Sequence, residues 1–189
     1  MDMDLDKIRQ EIDQIDEQMK QLFGKRMDLA RQVAETKMRT GAAVYAPVRE
    51  RQIIEARTMG DSKYLVQSRA FFRQMMEISR SYQYFMMAKQ AKELADLPAG
   101  EGTAEISFCC GISDGQPVVF LHAAQMAGFE IKEFTVKEEN EQLCCRLRLF
   151  GDFSSDFALG AVLQMLKENK TTVIVASWDC LQERQGGQE

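Results

Sequence analysis

At 189 residues the chain has room for one large domain or two small ones. Its formal net charge of −5 and pI near 5.1 argue against nucleic acid as the main partner. No run of about 18 apolar residues exists and the acidic start, Met1 to Asp6, is unlike a targeting peptide, so the expectation is a cytoplasmic protein without a membrane partner. The cysteines stand as Cys109-Cys110, Cys144-Cys145 and Cys180, without finger-like spacing, so no metal site is expected. His122 is the one histidine. If the chain is an enzyme, its chemistry is expected to rest on Arg, Lys, Glu and Gln.

The first predicted element is a helix from about Asp4 to Arg39, roughly 50 Å long. Leu5, Ile8, Ile12, Ile15, Met19 and Leu22 recur at steps of three and four, the seam of a helix packed on other helices. Arg26 takes the next seam position, and Leu29 and Val33 resume the stripe. Eleven residues beyond Arg26, at about 100° per residue, Lys37 returns to nearly the same face. A guanidinium on a buried seam calls for an anion to meet it. Gly41 lies in the break that follows, and Pro47 opens a second helix, Val48 to Thr58. After Gly60-Asp61-Ser62, a third helix is expected from Tyr64 to Leu94, with Phe72, Met76, Ser79, Gln83 and Met86 along one face. Met75, Met76, Met86 and Met87 read as core filler.

Leu97 to Thr103 is turn-rich and marks a boundary. Strand, helix, strand, strand, helix and strand follow: Ala104–Cys110, Pro117–Ala127, Glu130–Lys137, Glu141–Phe150, Ser155–Glu168 and Thr171–Trp178. That βαββαβ order predicts a ferredoxin-like α+β unit behind an all-helical one. The expected division is a helical domain at 1–96, a linker at 97–103, the α/β domain at 104–181 and a frayed tail at 182–189. First and third strands are neighbours in such a sheet, which brings the two cysteine pairs near each other. Reduced, buried thiols are the preferred reading, with a redox or soft-metal cluster as the alternative. His122 falls on a helix of this half, with no catalytic duty expected.

The polar residues that interrupt apolar faces in the helical half are Arg9, Arg26, Lys37, Arg49, Glu50, Ser79 and Gln83. Four cations and one carboxylate give a local charge of +3 in an acidic chain, suited to a small ligand with two carboxylates. Arg9 and Arg26 are 17 residues apart, about 25 Å along one continuous helix. Two side chains on one rod cannot meet across that span. If Arg9 serves such a site, the site belongs to a second copy, and a homodimer is expected.

Over residues 4 to 90 these runs resemble the all-helical chorismate mutases, in particular the small dimeric bacterial type. The resemblance rests on Ile8-Arg9 with Ile15-Asp16, Lys25-Arg26 with Leu29-Ala30, and Ala34-Glu35-Thr36-Lys37. It continues through Val44-Tyr45-Ala46-Pro47-Val48-Arg49-Glu50 and Ser79-Arg80-Ser81-Tyr82-Gln83. It implies that Arg26 and Arg49, with Arg9 donated by the partner, hold the two carboxylates of chorismate. Lys37 and Gln83 would bond the ether oxygen as the C–O bond breaks, Glu50 would hold the ring hydroxyl, and Ser79 would help fix a carboxylate. The implied reaction is the unimolecular rearrangement of chorismate to prephenate, with no cofactor. Ala46 departs from the Tyr-Asp-Pro run of many members. It stands in the substrate-binding set: Ala46 is harmless if the position acts through its backbone amide, and turnover is reduced if the side chain common in the family orients the loop or the hydroxyl.

The second half carries no recognisable catalytic constellation. Its strand order and two glycine-bearing turns resemble the ACT domain, which implies an effector site for phenylalanine or tyrosine at Asp114, Gly115 and Gly128. A purely structural dimerisation module is the alternative there. For the whole chain the runner-up is a non-catalytic helical dimer that binds or senses a small dicarboxylate or aromatic metabolite.

Overall fold

The structure is a computed structural model, and it describes residues 5–60, 63–95, 97 and 99–177. Asp61 and Ser62 of the second break, Cys180 and the expected tail lie outside the described residues. Three helices come first: α1 (Leu5–Thr40), α2 (Pro47–Thr58) and α3 (Leu65–Ala88). The second half is β1 (Glu101–Gly111), α4 (Gln116–Met126), β2 (Glu130–Glu139), β3 (Gln142–Asp152), α5 (Asp156–Glu168) and β4 (Val173–Ser177). None of the described helices is long and apolar enough to cross a membrane.

The sheet runs β2-β3-β1-β4 with every neighbouring pair antiparallel, the ferredoxin-like order expected from the sequence. In β1, alternate residues Ala104, Ile106, Phe108 and Cys110 are buried, the period of a strand with one face on a core. Phe120, Ala123 and Ala124 of α4 cover that face, with Ala158, Val162 and Met165 of α5. The outer strand β2 presents features that discourage edge pairing: it carries Lys132, Glu133, Lys137 and Glu138, and it shifts register between Ile131 and Glu133.

Two boundaries differ from expectation. The third helix ends at Ala88 rather than Leu94, and Lys92–Leu94 forms a separate 3-10 turn. Nothing in the sequence breaks the helix there; Leu94 is 7% exposed, and swinging it into the core overrides local helix propensity. β1 starts at Glu101, three residues early, because Glu101, Gly102 and Thr103 pair with Asp152, Gly151 and Phe150. The β2–β3 hairpin is also longer than read, closing through Asn140 and Glu141, both at positive φ (51° and 61°). That is the two-residue turn that matches strand twist, here built without glycine.

α3 joins the halves. One side of it meets α1 and α2, and another packs on α5. The crossing with α5 is so close that a Cβ on Gly160 would stand 2.7 Å from the Cα of Phe85. Val44, Tyr84, Ala88 and Leu94 therefore join the same hydrophobic cluster as the sheet. α1 is different: only Ala30 and Ala34 are buried on it, while Leu5, Ile12, Ile15, Met19, Leu22, Leu29 and Val33 are exposed. A 36-residue helix with its seam uncovered has too little packing for its length.

Candidate active site

Arg26 leaves α1 toward α3, where its Nη1 donates to the Ser79 hydroxyl and lies 3.4 Å from the Met75 carbonyl oxygen. Ser79 is buried, and its own hydroxyl donates back to Met75 O at 2.9 Å. One turn on, Gln83 is buried too, and its Nε2 donates to Ser79 O at 3.1 Å. Gln83 Oε1 has no hydrogen-bond partner among the described residues. A buried amide oxygen left bare is costly. The Gln83 amide is thus folded back on its own helix.

Lys37 approaches from the far end of α1, where its Nζ donates to Val44 O at 3.0 Å. Burial weakens its charge; Glu50 nearby strengthens it and Arg49 weakens it further. Burial likewise lowers the pKa of Arg26. Ala46 is the N-cap of α2, without a side-chain cap bond; its carbonyl accepts Glu50 N–H at 3.0 Å. Pro47 at the start of that helix sets the entry angle and turns Glu50 inward, leaving Arg49 exposed.

Arg26, Lys37, Glu50, Ser79 and Gln83 accordingly stand on the inner surfaces of α1, α2 and α3. Arg9 does not join them. It is exposed and pairs with Asp6 at 3.2 Å, on the far stretch of α1. Two cavities flank the set. An apolar groove of about 560 Å³ lined by Met19, Phe23, Phe71, Met75 and Ile78 borders Arg26, and one of about 500 Å³ lined by Val44, Tyr45, Tyr84 and Leu163 borders Lys37. The larger is walled mainly by apolar side chains, with Lys20, Arg26 and Gln74 beside them, and it continues the uncovered seam of α1.

The sequence reading passed over Arg80. It is 6% exposed and sits between two carboxylates. Its Nη1 donates to Glu50 Oε2, its Nε is 3.0 Å from Glu168 Oε1 but off the N–H axis, and its guanidinium lies 4.7 Å over the Tyr45 ring. Burial raises the pKa of Glu50 even against Arg80 and Lys37, with Glu77 adding to the rise. Burial raises Glu168 to about 7. Burial opposes the charge of Arg80, but Glu168 and Glu50 outweigh it and hold its pKa above the usual value. A signal for Arg80 was present: Arg80, Tyr84 and Ala88 recur at four-residue steps, a second buried stripe on α3.

In the second half, Asp114 closes the turn after β1 by accepting Gly111 N–H at 2.8 Å. Gly115 (φ 66°) caps α4 and Gly128 (φ 83°) ends it, with Phe129 N–H bonded back to Ala124 O. Cys109 and Cys144 face each other across β1 and β3, their Sγ atoms 2.7 Å apart.

Residues 8–84 match the family model for chorismate mutase type II. This stretch belongs to that family. The T-protein of Haemophilus influenzae is 41% identical over 56 residues, 30% of this chain. The match spans only 15% of the length of that relative. No solved structure matches the chain significantly. The matched stretch covers most of α1, all of α2 and most of α3, and includes Arg9, Arg26, Lys37, Ala46, Arg49, Glu50, Ser79 and Gln83, the residues expected at the site. Arg80 lies inside it; Glu168 does not.

Proposed function

We propose that this chain rearranges chorismate to prephenate, in the cytoplasm, as a step of aromatic amino acid biosynthesis. The observation that carries this is the placement of Arg26, Ser79, Gln83, Lys37 and Glu50 on facing surfaces of three helices within the stretch matched to the family. The cations would compress a flexible dianion into the chair-like reactive conformer. Lys37 and Gln83 would favour the transition state, in which the ether oxygen gathers negative charge, over the substrate. To do so Gln83 exchanges its bond to Ser79 O for the ligand, and Lys37 exchanges its bond to Val44 O.

The site is completed in a homodimer. The uncovered seam from Leu5 to Val33 suits a second α1, and Arg9, too far along the rod for its own site, would be donated to the partner's. We assign 1–96 to the mutase unit and 104–181 to an ACT-like unit joined by 97–103. Its glycine turns, with Asp114, Gly115 and Gly128, would take phenylalanine or tyrosine as effector.

The test is loss of chorismate absorbance with the full chain. Arg26→Ala and Gln83→Ala should each lose at least about a hundredfold in kcat/KM. Mixing Arg9→Ala with Arg26→Ala chains should restore about a quarter of parental activity, since half the dimers are mixed and each of those rebuilds one intact site. A well-folded parent without turnover refutes the enzyme and leaves the non-catalytic dicarboxylate binder.

A further inference from the structure

We propose that Arg80 is a positioning residue for Glu50, and that Glu168 of the α/β half holds Arg80 in place. The mutase site is then completed by the second half of the chain. The inference rests on the mutase reading above.

Glu50 has two carboxylate oxygens. Arg80 occupies Oε2, which leaves Oε1 for a ligand hydroxyl and fixes the plane in which it is offered. Arg80 cannot drift, because it is gripped on three sides: Glu50 from α2, Glu168 from α5, and the Tyr45 ring beneath. Glu168 is anchored in turn. Its carboxylate accepts Gln164 Nε2 at 3.1 Å, and its main-chain oxygen accepts Gln116 Nε2 at 2.9 Å. Asn169 beside it donates to Gln116 Oε1 and to Cys109 O, both at 2.8 Å. Ser81 ties α3 to the same network through Gln164 Oε1 at 2.7 Å. With either contact broken, one side of the guanidinium is no longer gripped, so both serve to fix its direction.

A brace that merely glues helices together would use the same contacts; the charges separate the two roles. Glu50 is faced by Lys37 from α1, by Glu77 and Arg80 from α3, by Tyr45 from the preceding loop, and by Glu168 across Arg80. Among the groups that keep Glu50 ionised, Arg80 comes first. Arg80→Lys offers one compact ammonium in place of a fork and cannot serve both carboxylates. Glu168→Ala removes the grip of α5 on the guanidinium, while Glu168→Gln keeps a neutral acceptor there, the form Glu168 itself takes below about 7.

The experiment is the pH profile of kcat/KM for chorismate in the full-length parent, Arg80→Lys, Glu168→Ala and Glu168→Gln, with the Glu50 carboxyl followed by 13C NMR and assigned through Glu50→Gln. The acidic limb and the Glu50 titration should move up by about one pH unit in Arg80→Lys, up by less in Glu168→Ala, and stay in place in Glu168→Gln. Helical content and sedimentation should be unchanged. If Arg80→Lys does not fold, the contrast between Glu168→Ala and Glu168→Gln decides. Activity lost in Arg80→Lys or Glu168→Ala with limb and titration fixed, or Glu168→Gln displaced as far as Glu168→Ala, overturns the inference while parental turnover leaves the mutase reading standing. A parent without turnover overturns the mutase reading first, and the role of Arg80 falls with it.

Discussion

Glu168→Gln should stabilise the protein at about pH 8 and leave it unchanged at about pH 4, with the gain appearing between. The side chain of Glu168 is 2% exposed, so solvent screens little. Burial carries its carboxyl from the ordinary 4.5 to about 7; Arg80 and Gln164 pull it down, and Glu50 pushes it up. The folded value lies above the unfolded one. Below about 4.5 both states are protonated and burial of the group costs nothing ionic. Between there and about 7 the unfolded chain gives up its proton first, so stability falls as pH rises. Above about 7 the fold carries the whole cost. At about 1.4 kcal/mol per tenfold change in proton affinity, that cost is on the order of 3 kcal/mol. Glutamine keeps the shape and an acceptor for Gln164 while carrying no charge. Urea midpoints across this pH range, at one protein concentration, measure the difference between parent and variant. A constant offset, or a variant less stable at about pH 8, would refute the reasoning and make the Arg80–Glu168 pair net stabilising.

Gly160→Ala tests the crossing of α3 and α5. Alanine normally favours a helix by about 1 kcal/mol over glycine, but here the new methyl meets main-chain atoms of Phe85 at 2.7 and 2.9 Å. Overpacking should win, with a net loss of about 1–3 kcal/mol in a urea melt; a gain would mean the helices separate freely. Ala46→Asp supplies the side-chain acceptor that α2 lacks at its N-cap. It should add about 1 kcal/mol, read as a higher melting temperature; no change would show that the loop does not let the carboxylate reach the helix amides.

The helical half was legible because its pattern is local. Arg26 and Lys37 betray themselves by standing on an apolar stripe, and Ser79 and Gln83 do so on α3. The strand order was legible for a similar reason, since alternation in β1 and the glycine before β2 survive in any context. What the sequence hid is non-local. Leu94 leaves a good helical run because the core has room for it. Glu168 sits at the end of a helix, where a charge is ordinarily solvated, and only the approach of α3 encloses it. Arg80 was read as part of a matching run without a role, since its stripe on α3 becomes meaningful only once α5 is placed against it.

That second stripe bears on how the two halves can influence each other. α3 presents Ser79 and Gln83 to the proposed mutase site and, within the same two turns, Arg80, Ser81 and Tyr84 to the α/β half. The turn proposed to take an effector ends at Gly115, and the next residue, Gln116, holds both Glu168 and Asn169. A ligand there alters catalysis only to the extent that it binds one position of the α5 end better than another. Displacing Glu168 would release Arg80, and Glu50 would lose the partner that orients it. Binding linkage makes the effect reciprocal: whatever factor the effector imposes on affinity for chorismate, chorismate imposes on the effector. An effector that binds tightly but leaves Glu168 in place would regulate nothing.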